Sequence, residues 1–108
     1  MSIPLTKGAV VDALATHIGA ARGITCRDLA WHLRCHERVL RSVITELRMD
    51  GVAVCGTPET GYYIAATAAE LDQTCAFLRS RAMRSLTLEA RLRQIPLPDL
   101  LGQLHLRT

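Results

Sequence analysis

The chain has 108 residues, 49% of them hydrophobic, 21% charged and only 4% aromatic. That is the length of one domain with an aliphatic core, too apolar for disorder and without the roughly 18 uninterrupted apolar residues that span a bilayer. The formal net charge of +3 leans mildly toward polyanions, and nothing at the N-terminus reads as a signal peptide, so a cytoplasmic location is expected.

Taken in order, Thr6 is placed to cap a first helix running to about Ile18, with Val10, Leu14 and Ile18 at helical spacing. The run GAARG ends it. Thr25 and Asp28 form a capping-box pattern that opens a short second helix with Leu29, Ala30 and Leu33 inward. A third helix over 36–50 carries Leu40, Val43, Ile44 and Leu47 on one stripe and stops at Gly51, a natural left-handed terminator. Two extended pieces follow, VAVC and YYIA, joined by GTPETG as a hairpin. Alternation along the second strand puts Tyr62 and Ile64 under the hairpin and turns Tyr63 outward. Thr67 and Glu70 repeat the capping box and begin the longest helix, to about Gln94, and a last segment from Pro98 carries Leu100, Leu101 and Leu104.

This order predicts a mainly α fold with a small β-hairpin and a long C-terminal helix. Residues 1–66 form the first domain and 67–108 a helical extension. On the long helix Leu71, Cys75, Leu78, Ala82 and Leu86 make one stripe, while Phe77, Leu88 and Leu92 lie well round from it. Two apolar zones on one helix imply two neighbours, so a homodimer through residues 71–104 is expected. Trp31 is expected to pack at a helix boundary or against the long helix. Of the four cysteines, Cys35 and Cys75 fall where a small apolar residue belongs. With His32, Cys35 and His36 broken by a turn, a metal site is not expected.

Basic residues concentrate in two places. Between 22 and 48 stand Arg22, Arg27, Arg34, Arg38, Arg41 and Arg48 against three acids, and between 79 and 93 five arginines against Glu89 alone. With the third helix's apolar stripe inside, its outward positions are His36, Glu37, Arg38, Arg41, Ser42, Thr45 and Arg48. Arginine can bridge O6 and N7 of guanine, and serine or threonine can bond base edges or phosphate. Two helices joined by a short turn describe a helix-turn-helix, whose second helix enters the major groove. No nucleophile constellation, phosphate loop or paired carboxylates appear, so an enzyme and a cofactor are not expected.

The segment GITCRDLAWHLRCHERVLRSVITELRMDGVAVCGTPETGYYIA resembles the winged helix-turn-helix of the biotin-operon-repressor type. Ile24, Thr25, Leu29, Ala30, Leu33, Ile44, Leu47, Gly51, Gly61, Tyr62 and Ile64 fall on that family's pattern, over about 43 of the 108 residues. Such domains occur in bacterial transcription regulators and in phage proteins. The resemblance implies a sequence-specific double-stranded DNA-binding protein reading with helix 36–50, and contacts from Thr25, Arg27, His36, Glu37, Arg38, Arg41, Ser42, Thr45, Arg48 and Tyr63. Two departures stand out: Arg34 occupies the family's turn glycine and His36 its serine cap. The hairpin tip TPET holds Glu59 and no base, so deep insertion of the wing is not expected. The competing reading is a winged-helix module that binds another protein rather than DNA.

Overall fold

The computed structural model describes residues 4–106. Among them the fold is mainly α with a two-stranded antiparallel hairpin and one long helix. The chain divides into two units, Met1–Thr74 and Cys75–Thr108, a division that falls inside the long helix, later than the 66/67 junction expected from the order of elements. Residues 107 and 108 of the expected extension lie outside the described residues.

In the first unit α1 (Lys7–Leu14) is opened by Thr6, whose Oγ1 accepts from the Ala9 amide at 3.1 Å. It ends four residues earlier than the apolar spacing predicts. Ile18 leaves the helix because the chain around it is hydrogen-bonded elsewhere: the Gly19 amide donates to the Ile64 carbonyl and the Ile64 amide to the His17 carbonyl. A 3-10 turn at Ala20–Arg22 follows, and Ile24 then exchanges both backbone bonds with Tyr62. Backbone pairing outcompetes helix continuation here.

The second helix, α2 (Cys26–Leu33), is capped by Thr25 Oγ1, which accepts from the Asp28 amide. The reciprocal carboxylate bond of a full capping box is not among the bonds of the described residues. α2 ends on Arg34 in the left-handed region, φ 55 and ψ 47, a conformation that costs a non-glycine residue about 1 kcal/mol. Its amide closes on the carbonyls of Ala30 and Trp31.

The third helix, α3 (Glu37–Met49), buries Leu40, Val43, Ile44 and Leu47 against Val10 and Leu14 of α1, Leu29 and Ala30 of α2, and Val54 of the hairpin. This cluster is the core of the first unit. Cys35 packs against its edge.

Strands β1 (Val54–Thr57) and β2 (Gly61–Ile64) pair Val54 with Ile64 and Cys55 with Tyr63. Glycine is required in the turn: Gly61 has φ 72, and a Cβ there would meet the Ile24 carbonyl at 2.5 Å. The first strand begins two residues later than expected, because Val52 is tied back to the Leu47 carbonyl by its amide.

The long helix α4 (Ala68–Arg93) changes its buried residues along its length. Its first two turns belong to the first unit. Thr67 Oγ1 accepts from the Glu70 amide, Glu70 Oε2 accepts from the Ala20 amide at 2.6 Å, and Oε1 accepts from the Ala66 amide at 2.8 Å. Thr74 Oγ1 accepts from the Gly56 amide. In the second unit the buried residues are Ala90 of α4 with Leu100 and Leu101 of α5 (Leu97–Gln103). Of the first of the two expected stripes, Leu71, Cys75, Leu78 and Ala82 are exposed and Leu86 is half-buried, and Cys75 is not a core thiol. Gln94 turns the chain between α4 and α5 at φ 57.

Backbone amides hold the Glu70 carboxyl below the ordinary glutamate range, the Ala20 amide most strongly and Ala66 next. A depressed folded-state pKa adds stability that is complete above the unfolded pKa and is lost as pH falls through the folded one. Thermal unfolding of Glu70→Gln at several pH values should show a lower melting temperature at neutral pH and a shallower acid limb than the natural chain. Parallel curves for the two proteins would mean the clamp is energetically silent.

Candidate nucleic-acid interface

The buried stripe of α3 fixes what the helix shows to solvent. Arg38, Ser42, Thr45 and Met49 follow one another at intervals of four, three and four, opposite the buried stripe. Arg41 and Glu37 lie on the flank nearer the hairpin, Val39 and Glu46 on the other. His36, Glu37, Arg38, Arg41, Ser42 and Thr45 are all exposed, as are Thr25 and Arg27 at the start of α2. Thr25 Oγ1 is occupied as a cap. His36 takes the N-cap position of α3 without a side-chain bond to its first amides.

The polar groups of this face are loosely held. Arg41 Nη2 meets Glu37 Oε1 at 3.3 Å across one turn, both side chains well exposed, an ion pair worth little and readily exchanged. Arg38 makes no salt bridge among the described residues. Ser42 Oγ donates to the Arg38 carbonyl at 3.3 Å and Thr45 Oγ1 to the Arg41 carbonyl at 3.0 Å. Both hydroxyl protons are thus spent on the helix, leaving oxygen lone pairs outward.

Two expected contact residues are corrected. Arg48 is half-buried. Its Nε donates to the Val54 carbonyl at 2.7 Å, its guanidinium carbon lies 5.9 Å from the centre of the Tyr62 ring, and Nη2 is buried without a hydrogen-bond partner among the described residues. It ties α3 to the hairpin instead of facing outward. Tyr63 is 2% exposed, so its hydroxyl cannot reach a phosphate. The expected alternation holds, with Tyr62 and Ile64 partly buried against the core, but the opposite face, holding Cys55 and Tyr63, is fully buried as well.

Sequence reasoning also missed three surface features. Met49 is 83% exposed at the end of the outward stripe, a position its spacing from Thr45 and Ser42 would have given. Tyr62, expected in the core, is only half-buried, and burial followed by the neighbouring Cys26 pushes its phenol up. Burial also raises the Cys26 thiol, which donates weakly to the Glu37 carbonyl at 3.9 Å, so the sulfur stays protonated near neutrality. Trp31, expected to pack at a helix boundary, is 82% exposed. Beside it lies a cleft of about 850 Å³. The face as a whole offers arginine donors and hydroxyl acceptors on a rigid helix. Among the described residues no cluster of three or more His, Cys, Asp or Glu could hold a metal ion.

Arg48→Ala should destabilise the first unit by about 1–3 kcal/mol, through loss of the charged bond to Val54 and the ring contact. Denaturant unfolding checks this as a lower midpoint with an unchanged slope. A midpoint equal to that of the natural chain would return Arg48 to the surface.

Comparison with known proteins finds no family model, no curated protein and no solved structure that matches the chain.

Proposed function

We propose that this chain is a sequence-specific double-stranded DNA-binding protein of winged helix-turn-helix type, a cytoplasmic transcriptional regulator or phage DNA-binding factor that reads the major groove with α3. The observation that carries the reading is the exposed stripe Arg38, Ser42, Thr45 and Met49 on a helix whose other side is locked into the core. Arginine supplies bidentate donors to guanine, the two hydroxyl oxygens accept from adenine or cytosine amino groups, and the Met49 thioether end suits a thymine methyl. Arg41, exchanging Glu37 for phosphate, and Arg27 and His36 nearby supply backbone contacts that set register.

A homodimer is part of the proposal. In the second unit Leu88 is 58% and Leu92 86% exposed, one turn apart on α4. A second copy would cover this strip and give two half-sites with a fixed spacing. Sedimentation across micromolar concentrations should show a dimer that Leu88→Glu/Leu92→Glu abolishes. A concentration-independent species of the monomer's mass removes the dimer from the proposal.

The competing reading, a protein-interaction module, is favoured by one feature: the hairpin tip carries Glu59 and no base. A salt titration separates the two. Duplex affinity should fall steeply with log salt through counterion release, while absence of duplex binding at low salt selects the protein partner. On a site selected from random duplexes, Arg38→Ala should cost about 1–3 kcal/mol and relax preference at one position. Arg41→Ala should weaken all sequences alike and reduce the salt slope by about one. An equal loss on every sequence for Arg38→Ala would move that residue to the backbone and leave the stripe without its reader.

A further inference from the structure

The cleft beside the α2–α3 turn lies wholly within the first unit and is separate from the outward stripe of α3. Its apolar surface comes from Leu5 ahead of α1, from Trp31 on α2 and from Val39 on α3, and its polar groups are His32, Arg34 and His36. Among the described residues no carboxylate lines it. At about 850 Å³ it falls within the roughly 300–1,000 Å³ of small-molecule sites.

Two observations make this more than an indentation. The only tryptophan of the chain stands on its wall with 82% of its surface bare, and Val39 beside it is also exposed. Arg34 occupies a left-handed position at φ 55 where glycine would cost nothing, yet it is one of the residues lining the cleft and forms no salt bridge among the described residues. A strained residue with an uncommitted charge at a cavity mouth points to a ligand for that charge.

We infer that this cleft binds a small amphipathic organic anion, a planar apolar body carrying one carboxylate or sulfonate. The indole and Val39 offer the flat apolar surface, Arg34 the fork that fits the acid group, and the two imidazoles further donors. With no carboxylate among the described lining residues, an anion there meets no opposing charge. This site does not depend on duplex binding by α3.

The probe is 8-anilinonaphthalene-1-sulfonate, titrated into the full chain while the single indole N–H resonance, which belongs to Trp31, is followed by 15N–1H correlation. That resonance should shift and saturate at one equivalent. N-phenyl-1-naphthylamine, the same rings without the sulfonate, and inorganic sulfate should each move it at least about tenfold less effectively, as the loss of one charge-assisted contact in a partly open site implies. Arg34→Gly relieves the left-handed strain, so it should melt no lower than the natural chain and bind the sulfonate about tenfold more weakly. Equal binding by Arg34→Gly, equal binding by the uncharged probe, or an indole resonance that does not move would each overturn the inference.

Discussion

The burial of Leu40, Val43, Ile44 and Leu47 is the constraint on which the candidate interface depends. Each such side chain contributes roughly 1.5–3 kcal/mol when withdrawn from water, so rotating α3 by even one position would forfeit most of its anchorage. The opposite residues are consequently exposed by geometry, whatever their chemistry. The sequence places Arg38, Ser42 and Thr45 there, residues with little to gain from burial, and adds Met49, which has much to lose from water. The same geometry leaves Met49 bare at the end of an otherwise polar stripe.

The hairpin is held to this helix from two sides. Arg48 reaches from α3 to the Val54 carbonyl and lies against Tyr62, while residues 17–24 bond the outer edge of β2. An exposed strand edge of this length is a liability for pairing with other chains, and the Ile18 and Ile24 bridges cover it. Glu70 then fixes the 3-10 turn within that covering segment to the start of α4. The anchoring residues are thus an arginine and a glutamate whose charges are spent inside the unit. From the sequence, Arg48 is expected on the outward face of α3 and Glu70 at the cap of its own helix alone.

What could be read beforehand divides along a physical line. Signals local to one turn were legible: Thr6 and Thr25 as caps, the α3 stripe, the left-handed Arg34, the stop at Gly51. Each depends on a hydrogen bond or a spacing within a few residues. The misreadings all concern a second, non-local partner. Ile18 continued the helical spacing but was claimed by Ile64 across the unit. Tyr63 sat in the correct strand phase, yet phase does not say whether the far face is covered. Arg48 looked like the next member of an outward row until the hairpin closed beside it. On α4 a single helical spacing does not hold over 26 residues, because the buried positions are Thr74 in one unit and Ala90 in the other, and neither lies on the two expected apolar zones.

The hydroxyls of Ser42 and Thr45 sharpen what the proposed reading surface can distinguish. With their hydroxyl hydrogens on the carbonyls one turn back, Ser42 and Thr45 present oxygen lone pairs outward, as Glu37 does. Acceptors discriminate cytosine and adenine, whose amino groups project into the major groove, from thymine and guanine, which present oxygen at the same place. Arg38 is donor only and selects the opposite pair. A face that mixes these two kinds along one helix can specify base identity on both strands. A row of arginines alone would recognise phosphate and guanine with little else to choose between. On the proposed reading, sequence preference is therefore carried by Arg38 together with Ser42 and Thr45, and Arg41 on the flank adds affinity without choosing a base.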